Sequence, residues 1–205
     1  MAVVDPKRYL ADMDWRLRSK VRSLAWRLKW QTGMDLRIRD GIRTCQRQHQ
    51  IYAQGRTAAG PVVTHAAGCQ SWHVMGRAVD ADPIDPARYR AALRAGASED
   101  AAYKAAVESP GADCGAYGVA GRIWEQLGGV WGGKWTQFGP CGDMGHFEYH
   151  PGLKIESVCP NPQQCEAVVL AIRSVSPWLY VSLAAGAAAL LGAAGLAKQK
   201  LEQSL

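Results

Sequence analysis

Two histidines and two aspartates, held in two short segments far apart in the chain, are the residue types of a hydrolytic metal centre. The first segment is Ser71-Trp72-His73-Val74-Met75-Gly76-Arg77-Ala78-Val79-Asp80. The second is Asp143-Met144-Gly145-His146-Phe147-Glu148. A catalytic zinc takes three protein ligands through nitrogen or oxygen and leaves a fourth position open. It also needs a nearby carboxylate that stays off the metal and accepts a proton from water. Two imidazoles, one ligating carboxylate and one spare carboxylate meet both needs without using a residue twice. His73 and Asp80 alone are a weak signal, since many loops contain both types. Asp82 and Glu148 are rival carboxylates: each lies two residues beyond a candidate ligand, on the same face of an expected strand.

To converge, these groups need a turn and two neighbouring strands. Gly76 supplies the turn, Ala78 to Ala81 reads as a strand presenting Asp80, and His146 to Tyr149 reads as a second short strand. Asp35 to Arg39 alternates as a third, and Asp82 to Pro86 reads as a turn. An apolar stripe at Leu10, Met13, Leu17, Val21, Leu24 and Leu28 predicts a basic amphipathic helix over 8–30. Further helices are expected from Arg43 to Tyr52, over 87–107, and around Val119, Ile123, Trp124 and Leu127, the last ended by Gly128-Gly129. Residues 55–72 read as a loop with a short Val62-Val63-Thr64 strand. Residues 131–142 form an aromatic, glycine-rich loop whose Trp131 and Trp135 suit a substrate groove or a core equally. Short strands beside separate helices predict an α+β fold, a small antiparallel sheet with flanking helices.

The chain has 205 residues, enough for one ordinary domain and an appendage, and a core of that size needs no metal to fold. We expect a domain over 1–150, a linker over 151–175, and an apolar helical tail over 176–205. From Pro177 to Ala197 no charged residue occurs, a length that suits a bilayer-spanning helix or a helix packed in an assembly. No apolar secretory segment is read in residues 1–30. The formal charge of +6 suits an anionic partner such as wall polymer, lipid headgroups or nucleic acid. Nucleic acid is the weakest of these, because no recognition motif accompanies the charge. Six cysteines without a C-x-x-C pair speak against a four-thiolate zinc site; they fit either disulfides or reduced thiols. Cys159 and Cys165, either side of a Pro-Asn-Pro turn, are the easiest local pair.

Ser71, His73, Gly76, Ala78 and Asp80 fit the pattern S-x-H-x-x-G-x-A-x-D, and Asp143, His146, Phe147 and Glu148 fit D-x-x-H-[FW]-E. In these the chain resembles the zinc peptidases that cut peptidoglycan peptides: L-alanyl-D-glutamate endopeptidases and D-alanyl-D-alanine carboxypeptidases, which share the hedgehog/DD-peptidase fold. Gly41-Ile42-Arg43-Thr44 with Gln48, Tyr52 to Thr57, Val63-Thr64 and Trp131-Gly-Gly-Lys-Trp135 resemble the endopeptidase branch found in phage endolysins. The likeness runs from about residue 8 to 150.

The resemblance implies one catalytic Zn2+ held by His73, Asp80 and His146. It implies Asp143 as general base and Arg43 as a cation for the substrate carboxylate or developing oxyanion. Gln48, Ser71 and Glu148 would contact substrate or support the ligands; His49, His65 and His150 would not ligate. The implied reaction is cleavage of a peptidoglycan stem peptide, L-Ala-D-Glu favoured, by a phage-encoded endolysin or virion protein. The site of action is then the virion or the host cell envelope, with residues 177–197 meeting membrane or other virion proteins. The alternatives are D-Ala-D-Ala carboxypeptidase activity, or a wall-binding or structural virion protein of the same fold without hydrolysis. Three positions depart from the family pattern: Val74 stands where Asn is usual, Cys69 where Gly is common, and Cys141 is atypical. A Cys69–Cys141 disulfide would tie the two metal segments together.

Overall fold

Leucine and valine recur every three or four residues from Leu17 to Leu28, so a helix here must bury one side. It does so as α2 (Trp15–Thr32), with Leu17, Val21, Leu24, Ala25 and Leu28 fully buried. The computed structural model describes residues 3–5, 9–107, 109, 113–159 and 165. The single helix expected over 8–30 is two. A short α1 (Tyr9–Asp12) stops before Asp14, whose carboxylate accepts the Arg16 amide at 2.9 Å and caps α2. The Asp14 amide donates to Gly76 O at 3.1 Å, which fixes the start of α2 against the turn that carries His73.

Strands β1 (Val3–Val4), β2 (Asp35–Asp40), β3 (Ala78–Ile84), β4 (Val130–Trp131) and β5 (His146–Glu148) form one sheet in the order β1-β2-β3-β5-β4. Every pairing is antiparallel except that of the edge strand β1 with β2. Side chains alternate between the faces of a strand. Leu36, Ile38, Val79, Ala81 and Phe147 therefore join the core with α2 and α6 (Gly115–Gln126), to which Tyr117, Ala120, Ile123 and Trp124 contribute. The opposite face carries the chemistry: Arg37, Arg39, Asp80, Asp82, His146 and Glu148.

Asp82 to Pro86 is not wholly a turn. β3 continues through Pro83, paired with Leu36, to Ile84. β5 pairs only with Ala78 to Asp80, so a residue without an N–H breaks no ladder on that side. Asp85 then caps α4 (Pro86–Arg94), accepting from the amides of Ala87 and Arg88. The helix expected over 87–107 is split by Gly96, at φ 83°, before Ser98 caps α5 (Glu99–Ala106). Val62 to Thr64 forms no strand: Val62 and Val63 project into solvent from an irregular loop with no partner strand.

Three disulfides are present: Cys45–Cys69, Cys114–Cys141 and Cys159–Cys165. The local pair is as expected, but the Cys69–Cys141 tie does not form. Cys45 opens α3 (Cys45–Ala53) and lies 4.6 Å from Cys69 between Cα atoms, while Cys141 meets Cys114 at the start of α6. Val74, the departure from Asn, is fully buried in a cluster with Cys45, Cys69, Cys159 and Cys165. An amide there would be enclosed by sulfur and carbon, so the apolar residue follows from the disulfides. Ile155 and Val158 of the short α7 (Ile155–Val158) pack on the same cluster. The apolar run 177–197 lies outside the described residues. Among those described, no helix is long and apolar enough to cross a membrane.

Candidate metal centre

Asp80 and His146 are cross-strand partners in the β3–β5 ladder, so their side chains stand together on the polar face. His73 arrives from the turn before β3. Gly76, at φ 68°, closes that turn with its amide donating to His73 O at 3.1 Å. All three side chains are buried. His73 Nε2, Asp80 Oδ1 and His146 Nδ1 form a triangle with sides of 3.2, 2.9 and 3.3 Å.

The outer hydrogen bonds decide what this triangle can hold. His73 Nδ1 lies 2.6 Å from Gly41 O, which can only accept, so that nitrogen carries the proton. His146 Nε2 lies 2.9 Å from Glu148 Oε1 and donates likewise. The inward nitrogens are then lone pairs facing a carboxylate oxygen. Three acceptors this close require a cation or an extra proton between them. A four-coordinate ion with bonds of about 2.0–2.1 Å spaces its ligand atoms about 3.3 Å apart, which the triangle nearly matches. Three protein donors, each braced from outside, could hold a metal ion, and their types match those of catalytic zinc sites. No other cluster of potential metal ligands occurs among the described residues.

Electrostatics agree with the geometry. Burial opposes charge on Asp80, yet the imidazoles of His73 and His146 hold its carboxyl well below the usual range. Burial likewise disfavours a charged His146, but Asp80 and Glu148 raise it to about 10. Without an ion, a proton plays the cation's part.

Arg43 does not point alone into the cleft. Its Nη2 donates to Asp80 Oδ2 at 2.8 Å, Nε to Asp40 Oδ2 at 2.7 Å, and Nη1 to Gln48 Oε1 at 3.3 Å. Gln48 is fully buried and donates to Ala66 O at 2.9 Å. Ser71 Oγ accepts the His73 amide at 3.3 Å. Glu148 orients His146 with one oxygen and accepts from His150 Nε2 with the other at 3.0 Å. Asp82, the rival ligand, is taken by Arg39, Tyr103 and Tyr117.

The triad opens on a cleft of about 600 Å³ lined also by Asp143, Trp72, Trp135 and Phe138. Burial, with the nearby Asp80 charge, raises the Asp143 carboxyl above its ordinary value, despite the opposing pull of His146 and Arg39. Its loop is fixed by the Asp143 amide on Gly132 O and the His146 amide on Asp143 O. The two tryptophans divide: Trp131 is buried in the core, whereas Trp135 stands 5.0 Å from the His146 ring.

Sequence reasoning missed Asp40 and Gly132, and it set His150 aside as a ligand without finding its bond to Glu148. The alternation His146-x-Glu148-x-His150 is a signal that finds His150. Gly132 is needed because a Cβ there would lie 2.6 Å from Asp143 O and 3.0 Å from the His146 Cβ.

Residues 64–149 match the model of a family described as D-alanyl-D-alanine carboxypeptidase, a stretch that holds His73, Asp80, Asp143 and His146. Over 48 residues the chain is 44% identical to the peptidoglycan L-alanyl-D-glutamate endopeptidase CwlK of Bacillus subtilis. That match covers 23% of this chain and only 29% of CwlK. The crystal structure of the Serratia marcescens L-Ala D-Glu endopeptidase ChiX aligns with a TM-score of 0.42 and 18% identity, over 70% of this chain and 85% of that one. The chain thus resembles the peptidoglycan peptidases its two motifs suggest.

Proposed function

We propose that the protein is a metal-dependent peptidase that hydrolyses a peptidoglycan stem peptide, with the L-Ala–D-Glu bond favoured. The observation that carries this reading is the convergence of three inward-facing donor atoms, of His73, Asp80 and His146, beside a cleft lined by a further carboxylate, Asp143. The likeness to CwlK over 48 residues supports the choice of bond.

His73, Asp80 and His146 would hold one zinc ion. Zinc bound there supplies Lewis acidity to the substrate carbonyl and makes water acidic enough to react near neutral pH. Asp143, on the wall of the same cleft, takes the proton from the attacking water and passes it to the leaving amine. Burial raises its proton affinity, which suits a base, and the charge of a bound zinc would oppose that shift. Arg43 holds Asp80 in its ligating orientation and, from the cleft wall, places positive charge near the anionic groups of a stem peptide. Trp135 closes one side of the cleft beside His146.

Mass spectrometry of peptidoglycan digested with the zinc-loaded protein tests the proposal. Cleavage between L-Ala and D-Glu is expected, with loss of activity in EDTA and in Asp143→Ala. Release of terminal D-alanine alone would assign the carboxypeptidase reaction instead. Wall binding without new termini would make the protein a non-hydrolytic module. We also place its action at the bacterial wall as part of a phage, a reading that rests on the likeness to the endolysin branch. Presence of the protein in purified particles would fit a role at entry, and its absence a role at lysis.

A further inference from the structure

Helix α2 has a second face that the core does not use. Its 18 residues include Arg16, Arg18, Lys20, Arg22, Arg27 and Lys29, and no acid. Opposite the buried stripe, Trp15, Arg22, Trp26 and Trp30 follow one another at helical spacing. The three tryptophans are 43%, 59% and 74% exposed. The helix is about 27 Å long at 1.5 Å per residue, so the stripe runs nearly its whole length. The Trp26 and Trp30 rings pack together with centroids 5.9 Å apart, and the Arg16 guanidinium lies 5.2 Å from the centre of the Trp15 ring.

Two cations of this helix, Arg22 and Arg27, have no acidic partner among the described residues, whereas Lys29 is held by Asp35. No residue of α2 lines the catalytic cleft. Exposed aromatic rings in a contiguous basic patch mark a contact surface rather than a solvated one.

We propose that this face of α2 seats the protein on an anionic lipid bilayer. Trp15, Trp26 and Trp30 would lie at the headgroup level, with Arg22 and Arg27 on lipid phosphates. Tryptophan prefers that boundary because its ring is apolar and its N–H is polar. A helix lying in the interface combines such rings with cations on its flanks, and anionic lipid adds electrostatic attraction. A neutral glycan would use the rings and leave the cations idle. A nucleic-acid duplex would use the cations on its phosphates but offers the tryptophan rings no free base face to stack on. The charge-free apolar sequence of 177–197 in the same chain also favours lipid as the partner.

The test uses the full chain with vesicles of phosphatidylglycerol and phosphatidylethanolamine, and neutral phosphatidylcholine vesicles as control. Wild type should bind the anionic vesicles at least tenfold more tightly than the neutral ones. Trp26→Ser/Trp30→Ser and Arg22→Glu/Arg27→Glu should each weaken that binding at least tenfold. Tryptophan quenching by brominated lipid should fall in the tryptophan pair. Arg22, Trp26 and Trp30 are exposed, Arg27 is half-buried, and none lines the cleft, so melting temperature and peptidase activity on soluble muropeptides should stay near wild type. Binding and quenching unchanged in both pairs would overturn the proposal, because attachment would then come from residues 177–197. Loss of binding to DNA or wall polymer in these variants, without any vesicle binding by wild type, would overturn it as well.

Discussion

Arg43 grips Asp80 by the oxygen that the two histidines leave unused. Its Nη2 is 2.8 Å from Oδ2, while Oδ1 faces His73 and His146. The same guanidinium is anchored by Asp40, so the carboxylate's orientation is set from two residues away. Arg43→Ala should lower zinc affinity by about 10–100-fold, the usual effect of losing a group that braces a ligand. Arg43→Lys should not restore it, because one ammonium cannot serve Asp40, Asp80 and Gln48 in a fixed fork. Competition with a chromogenic chelator measures both.

Glu148 does for His146 what Arg43 does for Asp80. Glu148→Gln keeps an acceptor but loses the charge that makes the imidazole a strong donor to metal. Zinc affinity is expected to fall by about 10-fold or more, with activity restored at high zinc concentration. A variant inactive at saturating zinc would instead place Glu148 in the chemistry.

The metal-free protein should show a distinctive stability profile. Against the effect of burial, Asp80 and Glu148 raise His146 from 6.5 to about 10, and the histidines lower Glu148 from 4.5 to about 2. A raised histidine stabilises fully below about pH 6.5 and loses that contribution as pH climbs through 10. A lowered glutamate stabilises above about pH 4.5 and loses it as pH falls through 2. Melting temperature without metal should therefore peak between about pH 4.5 and 6.5 and decline toward alkaline pH. With zinc bound the alkaline decline should vanish. Calorimetry in buffers of different ionisation enthalpy should show about one proton released on zinc binding at pH 7.

Asp143→Asn should bind zinc as wild type does and lose about 10²–10⁴-fold in hydrolysis. Burial raises the Asp143 carboxyl and a zinc cation bound beside it would lower it, so the acid limb of wild-type kcat reports the balance of the two. The base must be ionised, so activity rises with pH through that limb. An acid limb unchanged in the residual activity of Asp143→Asn would assign the base elsewhere.

Reduction should cost stability at two places that border the site. Cys45–Cys69 closes 24 residues and Cys114–Cys141 closes 27, each contributing about 3 kcal/mol in the chain-entropy picture. Cys45→Ser/Cys69→Ser should lower the unfolding free energy obtained from urea titration by that amount and loosen the His73 turn. Cys114→Ser/Cys141→Ser should act on the Asp143 loop.

The convergence of His73, Asp80 and His146 was legible because a turn at Gly76 and two neighbouring strands convert their spacing into proximity. Phe147 between His146 and Glu148 gave away the alternation of β5, and the leucine stripe of α2 gave away the core. What sequence could not supply was cross-chain pairing. Nothing local says that Cys69 meets Cys45 rather than Cys141, or that Asp40 anchors Arg43. The break at Asp14 and the extension of β3 through Pro83 were also hidden, since each depends on a partner, Gly76 or Leu36, distant in the chain.

Asp80 and His146 stand opposite one another in a hydrogen-bonded ladder, whereas His73 sits on a turn. Two of the three posts therefore belong to the wall and one to the door. Emptying the centre should let the door swing while the wall stays upright. Amide exchange should then quicken around Trp72 to Met75 and hardly at all in β3 and β5. The protein would behave as a lock that can be emptied and refilled without being taken apart.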